Sequence, residues 1–396
     1  MSRSPSRLPA QDSPEARPPF VAATERRAAP EFPPLAPERR VGFAVVGLGR
    51  LSLDSILPAF ASCKLCRLSA VMTGDKDKGR RILGQYGAPA DAVYGYDEWD
   101  QLAQNDDVQV AYIVTPNGLH HEQVKQAARA GKHVLCEKPL SNTSAEALEM
   151  VGACADAGVM LMVAYRLQYE PHNRDIAKLV RSGEFGKLKL IEAHNGQVQD
   201  EASQWRHQRG LAGGGSLPDI GLYCLNFARF VTGEEPVEVM AWIWSTPGDP
   251  RFTEVEENVA WQMRFPSGVV GRFSSAYDAH ESRNAQLHFQ KGTVKLDPAF
   301  SYKGIRLYVN HRSPTHEDVE VMEERVSEDK NQFGTEMDHM AECVLTGRKP
   351  GTPGEEGLQD QRIMEAIYRS AADNRPITLE PIAGPDAFRD PRFSED

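Results

Sequence analysis

In the first half of the chain, apolar positions fall into short unbroken runs separated by amphipathic stretches. Residues 41–46, 67–73, 108–114, 133–136 and 160–164 read as strands. The stretches 53–62, 75–86, 97–104, 120–130 and 144–157 read as helices. Strands alternating with helices of this length predict βαβ units and a parallel sheet. The period changes after Tyr165-Arg166. A helix over 172–182 is followed by period-two or β-branched runs at 188–199, 237–245, 258–265, 269–276, 285–289, 293–296 and 305–310. Links such as Pro266-Ser267-Gly268 and Lys291-Gly292 read as hairpin turns. Helices over 216–232, 333–345 and 355–372 complete the pattern. The expected fold class is α/β: a Rossmann-type parallel-sheet domain over 41–165, then an α+β domain over 166–396 with a large open, mostly antiparallel sheet.

Composition narrows the function classes. Lys and Arg total 45 against 56 Asp and Glu, a net charge of −11. Phosphate binding needs a concentrated basic surface, so an acidic chain argues against a nucleic-acid partner. No apolar run approaches the roughly 18 residues that span a bilayer, so no membrane role is expected. Six scattered cysteines do not make a disulfide framework. Cys63 and Cys66 form a C-x-x-C, but a metal site needs further ligands, and all six read as packing thiols of a reducing compartment. No metal is expected, and the absence of a signal-peptide pattern points to the cytoplasm. Nine of the 27 prolines fall in the first forty residues. Proline donates no hydrogen bond, so 1–40 reads as an extended arm.

The chemistry starts where the first strand ends. Gly47-x-Gly49-x-x-Ser52 is a dinucleotide fingerprint with a small Ser in place of the third glycine. The first glycine permits the tight turn, and the second lets the backbone approach a pyrophosphate at a helix N-terminus. An acidic residue at the end of the second strand would repel a 2′-phosphate. Here that strand ends at Thr73, with Lys78 and Arg80 shortly after, which favours NADP; Asp75 and Asp77 keep a plain mixed-charge helix face open. Lys138, in Glu137-Lys138-Pro139, follows a strand at the sheet edge where such folds bind ligands, and a lysine there can donate to a substrate oxygen. Asp219 and Tyr223 are four apart on one helix, with Asn226 close to the same line. A phenol beside a carboxylate and a lysine can move a proton to or from a sugar hydroxyl. A structural Asp before a core Tyr has the same spacing.

Together these segments resemble the Gfo/Idh/MocA oxidoreductase family, and within it the glucose-fructose oxidoreductase branch. The resemblance runs from about Pro37 to Ile377. It is carried by Val46-Gly47-Leu48-Gly49, Thr115-Pro116-Asn117-Gly118-Leu119-His120, Cys136-Glu137-Lys138-Pro139, Leu211 through Tyr223, and Pro353-Gly354-Glu355-Glu356-Gly357. It implies that Lys138, Asp219 and Tyr223 are catalytic, with Tyr223 as proton donor and acceptor and a cis peptide before Pro139. Many relatives carry His where Tyr223 stands. Around the cofactor it implies Gly47, Leu48, Gly49, Arg50 and Leu51 at the turn and Thr73, Lys78 and Arg80 at the ribose. Thr115, Pro116, Asn117, His120, Glu137, Lys138, Arg166, Trp205 and Arg206 would complete the cofactor set. Lys138, Asp219, Tyr223 and Tyr277 would meet the sugar. The implied activity is an NADP-dependent hydride relay from an aldose to a ketose or other carbonyl, the cofactor staying bound. A plain NADP-dependent aldose 1-dehydrogenase is the alternative; a non-catalytic NADP sensor has no need of Lys138, Asp219 and Tyr223 together. A homodimer or homotetramer with arm exchange is implied. Known members of this branch are exported with a leader that this chain does not show. The loop from Gln199 to Trp205 looks shorter than the family's, and Thr73 stands for an expected Ser.

Overall fold

The computed structural model describes residues 34–389 apart from 314, 317, 328 and 329. Most of the proline-rich arm lies outside these residues. Its described end is a 3₁₀ turn at Pro37–Arg39, tied to the body by the Leu35 amide donating to Lys64 O at 3.0 Å.

Strand β1 (Val41–Val46) is buried at all six positions. It lies at the centre of a parallel sheet with β2 (Cys66–Met72), β3 (Val93–Tyr94), β4 (Val110–Ile113), β5 (His133–Glu137) and β6 (Leu161–Ala164), in the order β3-β2-β1-β4-β5-β6. The chain reverses direction across the sheet between β1 and β4, and this opens a crevice at the carboxyl ends of the strands. The helices are the irregular α1 (Leu57–Ala59), then α2 (Lys76–Gln85), α3 (Trp99–Ala103), α4 (Asn117–Arg129) and α5 (Ser144–Asp156). The expected single helix over 53–62 is instead a π turn at Ser52–Ile56, α1, and a 3₁₀ turn at Phe60–Ser62. Pro58, which has no N–H to donate, sits inside that run.

The second half builds a nine-stranded sheet from β7 (Leu188–Gln197), β8 (Glu238–Trp244), β9 (Asn258–Arg264), β10 (Val270–Tyr277), β11 (Ser282–Phe289), β12 (Gly292–Leu296), β13 (Leu307–Arg312), β14 (Glu320–Arg325) and β15 (Ile377–Thr378). Its order is β14-β13-β12-β11-β7-β10-β9-β8-β15, antiparallel except for the central β7–β10 pair. β14 was not anticipated. It is an edge strand without a buried residue, so no apolar period marks it. Helices α6 (Pro171–Ser182), α7 (Arg209–Ala212), α8 (Leu222–Thr232), α9 (Gln332–Thr346) and α10 (Gly354–Asp373) fill the space between and beside the sheets. α8 packs on β7 and β10, while α10 reaches from α5 and β6 to β8, so one continuous apolar core joins both halves. The triple glycine before α8 is a steric necessity at its last member: a Cβ on Gly215 would lie 1.8 Å from Glu256 O.

Candidate active site

A cleft of about 940 Å³ runs along the carboxyl edge of the parallel sheet. At one end is the turn after β1. Gly47 has φ +99°, and a Cβ there would sit 2.8 Å from Val114 O. A Cβ on Gly49 would meet nothing within 4 Å, so the space over the turn is open. Buried Ser52 donates from Oγ to Gly47 O at 2.6 Å, which closes the turn and explains why a small hydroxyl residue serves at the third position. Backbone at this turn, open space above it and a helix start beyond it fit a dinucleotide pyrophosphate.

Past the turn, Thr73 lines the cleft at the end of β2, and its Oγ1 accepts from the Asp75 amide at 3.2 Å. Asp75 does not face the cleft as a rival carboxylate: it caps α2 by accepting from the Lys78 amide at 2.9 Å. Lys78 is not on the cleft wall either, but its Nζ reaches back to the turn, donating to Leu48 O at 2.7 Å. Arg50 lines the cleft and pairs loosely with Asp54 at 3.3 Å. Arg80 is placed differently from expectation. It pairs with Asp77 one turn away on the exposed face of α2 and is not part of the cleft wall. Tyr96, which sequence reasoning passed over, closes this end.

The middle of the cleft is held by loops after β4 and β5. Thr115, Pro116 and Asn117 line it, with Asn117 Nδ2 donating to Ala212 O at 2.9 Å. His120 is fully buried beneath them and does not reach the cleft. Its ring bridges Thr115 O (2.9 Å) and Pro139 O (3.0 Å), joining the two loops. The Lys138-Pro139 peptide is cis.

At the far end three side chains converge. Lys138 Nζ donates to Asp219 O at 2.5 Å, stands 3.6 Å from Asp219 Oδ1 and lies 4.5 Å from the centre of the Tyr223 ring. The convergence depends on a π turn over Leu217–Gly221 at the entry to α8. A π turn shifts the carbonyl ladder by one residue. Here the carbonyls of Asp219 and Ile220 also accept from side chains, Lys138 Nζ and Asn195 Nδ2 (3.0 Å). Asn226 turns away from this group and bonds Gln168, Glu356 and Asp360 in a buried polar network.

The Asp219 carboxylate is crowded with donors. Arg206 Nε is 3.1 Å and Tyr277 Oη 2.8 Å from its Oδ2. Burial pushes this carboxyl upward, but the charges of Arg206 and Lys138 and the Tyr277 hydroxyl outweigh it and hold the group below the usual carboxylate range. Arg206, expected at the cofactor, lines the cleft and is bonded to Asp219. Tyr277, assigned to the sugar, is fully buried behind Asp219 and outside the cleft wall. Trp205 lines the cleft with its ring against the Arg206 guanidinium at 4.6 Å.

Arg166 is buried and braces Tyr223. Its guanidinium bonds Gln332, Ser301 O (3.2 Å) and Phe300 O (2.7 Å) and lies 4.9 Å from the Tyr223 ring and 4.4 Å from that of Tyr302. Phe300 stacks on Tyr223 at 6.2 Å. Tyr302, Phe333 and Gln332 belong to this wall, yet nothing in their local sequence marks them, because they arrive from a loop and from α9. Among the described residues, Cys63, Cys66 and Asp338 come within 4.8 Å of one another at the opposite edge of the sheet. All six cysteines are buried thiols. No helix among the described residues is long and apolar enough to cross a membrane.

Fold and cleft define a two-part nucleotide-dependent oxidoreductase, and the comparisons agree. The model of an oxidoreductase family with an NAD-binding Rossmann fold, Gfo/Idh/MocA, matches residues 41–165. That of the Gfo/Idh/MocA C-terminal domain matches 173–295. A crystal structure of aldose-aldose oxidoreductase from Caulobacter crescentus, complexed with glycerol, is 42% identical with a TM-score of 0.82, covering 86% of this chain and 100% of that one. The D-xylose 1-dehydrogenase [NADP(+)] of Haloarcula marismortui is 29% identical over 87% of this chain and 95% of its own length. The 1,5-anhydro-D-fructose reductase of Ensifer adhaerens is 28% identical over 71% and 83%. This chain belongs to the Gfo/Idh/MocA oxidoreductase family.

Proposed function

We propose that the chain is an NADP-dependent sugar oxidoreductase acting at the anomeric carbon of an aldose and passing the hydride on to a second sugar. The observation that carries this reading is the meeting of Lys138, Asp219 and Tyr223 at one end of a cleft whose other end is a dinucleotide turn. The similarity to an aldose-aldose oxidoreductase and to an NADP-linked xylose dehydrogenase supports it.

Bound NADP would accept hydride from one sugar and return it to the next. Gly47 to Leu51 would carry the pyrophosphate, and Thr73, Lys78 and Arg50 the ribose 2′-phosphate. Thr115, Pro116, Asn117, Glu137 and Arg166 would line the nicotinamide end. His120 would hold the loops that do so. Tyr223 Oη, as phenolate, takes the proton of the anomeric hydroxyl, and the resulting phenol later gives it to the acceptor oxygen and returns to phenolate. Lys138 and Arg166 both lie against its ring, so negative charge on the phenol oxygen is stabilised by two cations. Lys138 Nζ, anchored by Asp219, donates to the reacting oxygen. Asp219 keeps Lys138 and Arg206 in place, and Trp205 forms a wall for the sugar.

The second reading, a dehydrogenase that releases its cofactor each turnover, is favoured by the xylose dehydrogenase relatives. Domains at 41–165 and 166–396, an arm over 1–40 that wraps a neighbouring copy, and pairing through the uncovered face of the nine-stranded sheet belong to the same proposal. The exposed Trp242 and Trp244 on β8 support such pairing. Six buried thiols outside any disulfide favour the cytoplasm. The test is the absorbance of the purified protein. A nicotinamide band that survives gel filtration, grows with glucose or xylose and fades with a second sugar supports the relay. Turnover only with added NADP supports the dehydrogenase. No turnover on any aldose overturns both.

A further inference from the structure

Beneath Lys138 lies a second group of titratable side chains that the hydride chemistry does not use. Glu137 closes β5, and its Oε2 accepts from the Lys138 amide at 3.2 Å. Its Oε1 is 2.9 Å from the hydroxyl of Tyr112 on β4. On the other side of that hydroxyl, at 3.2 Å, is Oε1 of Glu336, one turn into α9. Tyr112 and Glu336 are fully buried and Glu137 nearly so.

The hydrogen bonds cannot be completed with two carboxylates. Tyr112 has one proton, and two acid oxygens face it. If it donates to Glu137, an ionised Glu336 would point a negative oxygen at the phenol's lone pairs. The other Glu336 oxygen, Oε2, is buried with no partner at all. Among the described residues, no Lys, Arg or His comes within ion-pairing distance of Glu336; the nearby Arg166 is spent on Gln332, Ser301 and Phe300. An uncompensated buried charge is unfavourable by several kcal/mol, which neutralising the group avoids.

We propose that Glu336 is a neutral carboxylic acid that donates to Tyr112, so that the chain Glu336 to Tyr112 to Glu137 runs in one direction and fixes Glu137, and with it the lysine segment, in place. Glu336 is then a positioning residue for Lys138. That role rests on the sugar oxidoreductase reading above, whereas the protonation state does not. Burial first, then the neighbouring Glu137 charge, pushes the Glu336 carboxyl well above the usual range; Arg166 and the Tyr112 hydroxyl pull the other way and do not offset it. Glu137, Arg166 and Tyr169 are the other titratable groups facing it from β5 and from the turn after β6. β1 contributes none, and Asp54, on the π turn beside α9, points outward to Arg50.

The test starts with infrared spectroscopy of the full-length protein at neutral pH, without sugar. A protonated-carboxyl band is expected in the native protein, with one component lost in Glu336→Gln, since burial also pushes up the Glu137 and Glu256 carboxyls. Thermal unfolding supplies a second readout. A carboxyl whose folded value is raised stabilises the protein fully below its unfolded value near about 4.3. That stability is lost as pH rises through the folded value. Gln at 336 keeps a donor and has no such loss. The midpoint of Glu336→Gln is therefore expected to gain on the native one as pH rises above about 4.3. Turnover is expected within about threefold of native for Glu336→Gln and at least tenfold lower for Glu336→Leu and Tyr112→Phe, which break the chain. A band that is missing or that Glu336→Gln leaves unchanged, a constant midpoint difference across pH, or a Gln variant as slow as the Leu variant would each overturn the assignment. The band and the midpoints read Glu336 even if no sugar is turned over, so failure of the sugar reading is told apart from failure of this one.

Discussion

Two buried acidic regions flank Lys138, and they differ in charge state for one reason. Asp219, on the cleft side, is met by Arg206, Lys138 and the Tyr277 hydroxyl and is held ionised. Glu336, on the floor, is met by a phenol and another carboxylate and is pushed toward its neutral form. Burial acts on both in the same direction. What decides the outcome is the sign of the neighbours, so burial alone does not tell which acid carries charge. The consequence is a division of labour: electrostatic work on the cleft side, fixed geometry beneath.

The largest expected effect tests that division directly. Tyr223→Phe keeps the ring and its contact with Phe300 but removes the proton carrier, and kcat is expected to fall by roughly 10²–10⁴. Nucleotide binding, followed by fluorescence titration, should be little changed. Near-native turnover would move the proton chemistry away from the cleft side.

Asp219→Asn strikes the ionised region itself. Lys138 and Arg206 lose their common partner, and kcat/KM is expected to drop by about 10²-fold, the scale of breaking a desolvated pair. The pH sign is opposite to that at Glu336. The folded value of Asp219 is lowered, so its contribution is present above the unfolded value near about 3.9 and is lost as pH falls through the folded value. Melting curves of native and Asp219→Asn protein are expected to converge in acid. Divergence in acid would count against an ionised Asp219.

Smaller changes are expected at the nucleotide end. Thr73→Asp with Lys78→Ala should replace a preference for NADP by one for NAD, a shift of about 1–3 kcal/mol, read as the ratio of the two dissociation constants. The smallest effect is that of Arg80→Ala, expected to change NADP affinity by less than about twofold, because this side chain pairs with Asp77 outside the cleft. A tenfold loss there would restore Arg80 to the ribose pocket.

Much of this site was legible before any coordinates. The turn at Gly47, Gly49 and Ser52 is local chemistry: a tight turn, an open approach and a small hydroxyl within six residues. The four-residue spacing of Asp219 and Tyr223 was readable, but the π turn that aims Asp219 at Lys138 was not. Tyr277, expected at the sugar, stands behind the cleft wall, and the bond from Arg206 to Asp219 was not legible, because Asp219 comes from a different element. Glu336, Gln332 and Tyr302 carried no local signal at all.

The sequence by itself determined the alternation of strands and helices, the change of period after Arg166 and the dinucleotide turn, because these depend on contacts within a few residues. Tertiary structure alone decided which acids are charged, which arginine pairs with Asp219, and that α9 supplies the floor under Lys138. The physical reason is that protonation and ion pairing respond to charges within a few ångströms. Around Lys138 those charges come from β4, β5, the π turn before α8, and α9, brought side by side only when the two sheets share one core.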